Sequence, residues 1–242
     1  SYVGSEDDLD KYAGGKTQTD GISFVQTIRR DSRDHPEFPT IGSSFSINST
    51  LSGWLFGGQE NFQKHVLNLE WYTPTFWKFV LMNNLKFGVV EELPSKDGGS
   101  SYIPYYDRFI MGGNGIPYGN PLRGYDDNRG GPVTFSGNPI GGNAMLKFGT
   151  EFRVPFAENP VVYGLIFAEM GNVWSSDKLM ERLDLPRNGP LDLKRSVGAG
   201  IRFFMPMIGM LGFDIGYGYD RVNQYGERQP AWKTTLTFGQ QF

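Results

Sequence analysis

Arg123 has an unusual setting. It follows the glycine-rich run Met111-Gly-Gly-Asn-Gly-Ile-Pro-Tyr-Gly-Asn-Pro-Leu122 and precedes Gly124 and Tyr125. Glycines permit tight backbone paths, and an arginine between bulky apolar neighbours can plug into a carboxylate-lined pocket as a bidentate donor. Two carboxylates further along the chain are placed to receive it: Glu151, and Glu169 within Phe167-Ala-Glu169-Met-Gly171. Bond-making chemistry has far less to work with. There is no cysteine, so thiolate nucleophiles, thiolate metal sites and disulfides are excluded. His35 lies in a turn beside Pro36 and His65 on a strand, and both read as structural or solvated. Acidic pairs such as Asp126-Asp127 and Glu91-Glu92 fall in loop segments and read as solvated rather than metal-binding. The glycine-rich run does not join a strand to a helix, so it is no nucleotide cradle. No enzyme activity, metal or cofactor is expected.

The elements that would position Arg123 and its partners are strands. Apolar residues recur at every second position, the mark of a ribbon with one apolar and one polar face. Trp232, Thr234, Leu236, Phe238, Gln240 and Phe242 share one face of the last segment, and Lys233, Thr235, Thr237, Gly239 and Gln241 the other. Leu211, Phe213, Ile215, Tyr217 and Tyr219 alternate in the same way with Gly212, Asp214, Gly216, Gly218 and Asp220. Nine strands follow, at about 20–32, 43–53, 61–74, 77–92, 141–156, 161–174, 194–208, 210–220 and 231–242. Many reach the 9–11 residues that a tilted bilayer crossing requires, against about 5–6 for a typical globular strand. Short turns near Thr73–Phe76, Ala157–Pro160 and Ile208–Gly209 alternate with longer segments at 54–60, 93–140, 175–193 and 221–230. Arg33–Gly42 is a long turn on the short side.

Composition agrees with a transmembrane β-barrel. The 242 residues include 33 glycines and 15% aromatics, with a mean hydropathy of −0.39. No apolar run is long enough for a transmembrane helix. With 23 basic against 26 acidic side chains, the net charge of −3 argues against nucleic acid as a partner. Mid-strand charges at Lys86, Lys147, Glu151, Arg153, Arg202 and Asp214 would line a wet lumen, while the apolar face meets lipid. Aromatics near strand ends (Trp71, Trp77, Tyr217, Tyr219, Trp232 and Phe242) would form interfacial girdles. A soluble β-sandwich is the alternative, with the same rings as its core. Nine crossings leave the two ends on opposite sides of a membrane, whereas bacterial single-chain barrels have an even strand number. A piece of a larger barrel is therefore expected.

The ordered motifs resemble the BamA-type outer-membrane assembly and secretion barrels, the bacterial surface antigen family. Leu122-Arg123-Gly124-Tyr125 is similar to that family's Val-Arg-Gly-Phe/Tyr motif at the tip of the sixth extracellular loop. Phe167-Ala-Glu169-Met-Gly171 is similar to its Phe-x-Asp-x-Gly motif on the thirteenth strand, with Glu in place of Asp. Gly141-Gly-Asn-Ala-Met145 followed by Glu151-Phe-Arg-Val-Pro155 resembles the twelfth strand, and Arg33–Gly42 a periplasmic turn. The terminal Phe242 resembles the aromatic end of an outer-membrane protein. The likeness covers nearly all of residues 20–242.

The resemblance implies that residues 1–242 are the C-terminal part of a sixteen-stranded antiparallel barrel in the outer membrane of a Gram-negative-type bacterium, with a long extracellular or lumenal loop at about 93–140. The first seven strands and the periplasmic (POTRA) domains would lie outside this chain, either cut away or on a separate chain. Arg123 would sit in the lumen with Glu151, Phe167, Glu169 and Gly171 as its partners. The last strand would form a lateral seam with the absent first strand, through Lys233, Leu236, Phe238, Gly239 and Phe242, and Gly239 would loosen it. The implied activity is folding and membrane insertion of other outer-membrane β-barrel proteins, with accessory lipoproteins and the lipid bilayer as further partners. A two-partner secretion transporter shares the loop motif. A passive porin is favoured only if the long loop lacks the Arg–carboxylate contact.

Overall fold

Alternating apolar and polar residues joined by short connections fold most simply as an antiparallel meander, since neighbouring strands then need no crossover. The computed structural model describes residues 21–54, 57–58, 60–94, 103–115, 119–134, 137–182, 189, 192–207, 209–222 and 227–238. It forms one sheet in sequence order, made of β1 (Ser23–Asp31), β2 (Gly42–Ser52), β3 (Phe62–Pro74), β4 (Val80–Glu92), β5 (Ala144–Glu158), β6 (Val161–Trp174), β7 (Lys194–Met205), β8 (Gly209–Gly218) and β9 (Ala231–Phe238). Every neighbouring pair is antiparallel. Among the described residues β1 and β9 do not pair, so the sheet is an open arc, a partial barrel.

The two faces separate as the alternation requires. On one face lie Lys147, Glu151, Arg153, Glu169, Arg202 and Asp214, all buried. On the other, Ile166 is 60% exposed, Phe213, Leu236 and Phe238 50%, and Ile215 40%. Apolar side chains turned outward in such numbers are wrong for a sandwich core and right for lipid. The soluble alternative is therefore rejected. The aromatic residues form a belt at each end. Tyr217 lies 5.1 Å from Tyr219 and 5.3 Å from Trp232 at the long-loop rim. Phe79 packs on Phe76, Trp77 and Phe152 at 5.1, 5.7 and 5.4 Å at the short-turn rim.

The core is the long loop itself, folded into the arc. Ile103, Phe109, Met111, Leu122 and Tyr125 of the loop pack on Phe62, Val90, Met145 and Val173 of the wall. Its backbone polar groups find partners within it: the Asn120 N–H donates to the Ile110 carbonyl (2.7 Å), and the Gly130 N–H to the Met111 carbonyl (2.7 Å). This is what buried irregular backbone needs in a membrane-depth lumen.

The ten-residue turn at Arg33–Gly42 uses its length to fold inward. The Asp34 carboxylate accepts from the Thr40 and Ile41 N–H groups, and His35 Nδ1 from those of Glu37 and Phe38. Phe38 is thereby driven against Tyr163, with ring centroids 4.9 Å apart, and against the Tyr72–Val80–Met82 cluster. His35 has a structural role in this turn, and His65 faces the Ser49 hydroxyl at 3.0 Å.

Several strand limits differ from the sequence reading. β4 starts at Val80 rather than near 77, because Trp77 takes a left-handed φ of 58° and the Thr75 N–H closes a turn onto the Phe79 carbonyl. β5 starts at Ala144 rather than 141, because Gly142 is bridged to Phe109 of the loop. β7 ends at Met205 rather than 208, and β8 runs from Gly209 to Gly218. A short helix, α1 (Asp177–Arg182), lies in the segment after β6. At six residues it is too short to show a helical period in the sequence.

Candidate functional site

The glycine-rich segment returns along itself, with Met111 bridged to Asn120 and Gly113 to Leu122. That delivers Arg123 to the inner wall at the depth of Glu151 and Glu169. Both carboxylates point inward because Glu151 of β5 and Glu169 of β6 fall on the polar phase of their strands. Arg123 Nη2 donates to Glu151 Oε1 and to Glu169 Oε1, each at 2.8 Å, and the Arg123 N–H donates to Glu169 Oε2 at 3.0 Å. Its guanidinium carbon lies 3.7 Å above the Phe167 ring, a cation–π contact in a water-poor setting. Gly198 makes room for that ring: a Cβ there would stand 2.5 Å from Phe167 Cζ. Arg123 is only 5% exposed.

The wall adds a second layer of charge. Lys147 reaches Glu169 at 3.2 Å, Arg153 donates to Glu151 at 2.8 Å, and Arg202 grips Asp214 with two bonds of 2.8 Å. Arg123 Nη1 lies 3.6 Å from Asp214, within ion-pair range and beyond a hydrogen bond. Each of the three carboxylates thus has one cation on the wall itself and shares Arg123 with the others. The arrangement carries no nucleophile or acid–base pair; it fixes a loop to a wall. Among the described residues no group of three or more His, Asp or Glu could hold a metal.

The residues beside Arg123 take up further strands. Leu122 is fully buried in the loop-and-wall core. Gly124 lies on the bare inner face of β8, where a Cβ on Gly218 would stand 2.4 Å from the Gly124 carbonyl oxygen and one on Gly216 2.9 Å from its nitrogen. The Tyr125 hydroxyl donates to the Arg195 carbonyl at 2.8 Å and accepts from the Asp220 N–H at 3.3 Å. Gly171 stands under the loop at another point, where a Cβ would meet Met111 Sδ at 3.0 Å. Of the seam residues, Lys233 faces inward and Leu236 and Phe238 outward, while Gly239 and Phe242 lie outside the described residues. Sequence reasoning did not assign Lys147, Arg153, Arg202 and Asp214 to this cluster. Their mid-strand positions on the polar phase were the available signal.

An arc of lipid-facing antiparallel strands closed over a loop pinned by a buried arginine is a segment of an outer-membrane β-barrel. The chain belongs to the Omp85 superfamily, whose domain model matches residues 2–242, and its place is the outer membrane of Gram-negative bacteria. It is 29% identical over 226 residues to the outer membrane protein assembly factor BamA of Nitratidesulfovibrio vulgaris, covering 92% of this chain. Its fold is similar to that of BamA from Haemophilus ducreyi lacking POTRA domains 1–3, with a TM-score of 0.70 and 21% identity over 88% of this chain. The chain spans 26% of the length of the first relative and 42% of the second.

Proposed function

We propose that this chain serves in the folding and membrane insertion of other outer-membrane β-barrel proteins, through a lateral seam at β9. Accessory lipoproteins, an N-terminal barrel half and periplasmic domains belong to the same proposal. The observation that carries it is the Arg123 anchor: a large loop held inside the arc by buried ion pairs leaves the wall, rather than an open pore, as the working surface. The relative's role in outer-membrane protein assembly supports the reading. β9 adds a physical reason. It is the last strand of the described sheet and pairs on one side only, with β8 over Ala231–Phe238. An edge strand exposes backbone groups that lipid cannot satisfy, so a client strand can add to it by β-augmentation.

The contact of Arg123 with both carboxylates removes the condition under which a passive porin was favoured. A secretion transporter differs in its cargo, which passes through the lumen rather than into the membrane.

The test uses protein purified from its native membranes and placed in phospholipid vesicles with an unfolded outer-membrane β-barrel client. The expected result is faster client folding, read as protease-protected, heat-modifiable product. A disulfide that locks β9 to the first strand of the complete barrel should abolish the acceleration, and its reduction should restore it. Undiminished folding with the seam locked contradicts the proposal.

A further inference from the structure

The loop tip reaches beyond its anchor. Five consecutive residues, Leu122 to Asp126, make contacts that together span the wall from β5 to β9. Arg123 meets β5 and β6, Gly124 lies on β8, and Tyr125 bonds to the Arg195 carbonyl on β7. Asp126 then forms ion pairs with Arg221, just after β8, at 2.8 Å, and with Lys233 on β9. Lys233 stands opposite Gly216 in the β8–β9 ladder. Because that neighbour has no side chain, the space above it is open to the loop backbone and to the lysine.

We infer that Asp126 is a positioning residue: with Arg221 and Lys233 it latches the last strand to the Arg123-anchored loop. The loop is held on the stiff β5–β6 side by buried pairs, so any outward movement of β9 must first break the Asp126–Lys233 bond. Burial pushes the Asp126 carboxyl up, but Lys233 and Arg221 outweigh it and hold it below the usual carboxylate range. Both Asp126 and Lys233 are about one-third exposed, 37% by side chain. An ion pair with that much water around it is worth little, at most about five-fold in an equilibrium. That magnitude suits a contact that opens and recloses, whereas the buried Arg123 pairs suit one that stays.

The inference rests on the proposed function only for its consequence, not for its geometry, and the experiment separates the two. Spin labels on introduced cysteines at Thr234 (β9) and Thr150 (β5), both on the lipid face, report the position of β9. A second pair at Thr150 and Ala199 (β7) reports that the wall is folded. In the protein in vesicles, Lys233→Met should raise the displaced β9 population by up to about five-fold, with the Thr150–Ala199 distance unchanged. Lys233→Arg, which keeps the cation, should restore the original distribution. Identical distributions in the native and Lys233→Met proteins overturn the latch. Equal displacement in Lys233→Met and Lys233→Arg also overturns it, since packing rather than charge would then hold the strand. Client folding is measured on the same samples. If the native protein fails to accelerate it, the functional proposal falls while the distance result still decides the latch.

Discussion

Glu169→Ala should destabilise the barrel by about 3–5 kcal/mol, the cost of stranding a buried cation by removing its partner. Glu169 is ion-paired with Lys147 and accepts from the Arg123 guanidinium and the Arg123 N–H. Its loss leaves Lys147 without its carboxylate and a buried backbone donor without an acceptor. Arg123→Ala should cost less, about 2–3 kcal/mol for the charged hydrogen bonds and ring contact it makes. The reason is redundancy in the wall. Without Arg123, Glu151 keeps Arg153, Glu169 keeps Lys147 and Asp214 keeps Arg202. The two variants should also fail differently. Arg123→Ala frees the loop while leaving the wall paired, so protease sites in the loop open before the barrel melts. Glu169→Ala lowers the melting of the wall itself. Urea titration of the barrel in detergent micelles, read by heat-modifiability, checks the order. Equal stability of Glu169→Ala and the native protein would show that the cluster holds nothing in place.

Phe213→Arg, in the middle of β8 and facing outward, should cost about 2–4 kcal/mol in a bilayer, the penalty for an arginine at mid-depth on a lipid face. Phe213 has Ile201 of β7 and Leu236 of β9 as its ladder neighbours, both turned the same way. The arginine therefore has no inward cavity or carboxylate to reach. Phe213→Leu should change stability by less than about 1.5 kcal/mol, since it preserves the apolar contact with lipid. Folding yield in vesicles, compared across the two variants, gives the measurement. A folding yield for Phe213→Arg equal to that of Phe213→Leu would place this face in water.

The strands were legible because their signal is long and strictly periodic. β6 spans Val161–Trp174, the range that the alternation marks. Departures occur where one contact overrides the period. Trp77 is apolar and follows the alternation, yet its left-handed backbone puts it in the turn. Gly142 would extend β5 but is taken by Phe109 of the loop. The site was legible in part. Arg123, Glu151 and Glu169 could be singled out by residue type and by resemblance, and the structure brings all three together. Asp214 could not, since its approach to Arg123 depends on where the loop crosses β8. That crossing is set by Gly216 and Gly218, residues whose role is to have no side chain. The tie from Asp126 to Lys233 is likewise invisible in one dimension, because it joins a loop tip to the last strand across the width of the arc.

A wall between lipid and a filled lumen requires that side chains along each strand point alternately outward and inward. The chain has no cysteine, so single cysteines at Thr234, Thr235, Leu236 and Thr237 of β9 can be read one at a time in vesicles. A water-soluble maleimide entering through the lumen should label position 237 and spare 234 and 236; Thr235, only 6% exposed, serves for the quenching measurement alone. A fluorophore at 234 or 236 should be quenched by nitroxide-bearing lipids, and one at 235 or 237 should not. Uniform labelling at 234, 236 and 237, or quenching in the opposite phase, would contradict a wall with lipid on one side and the loop-filled lumen on the other.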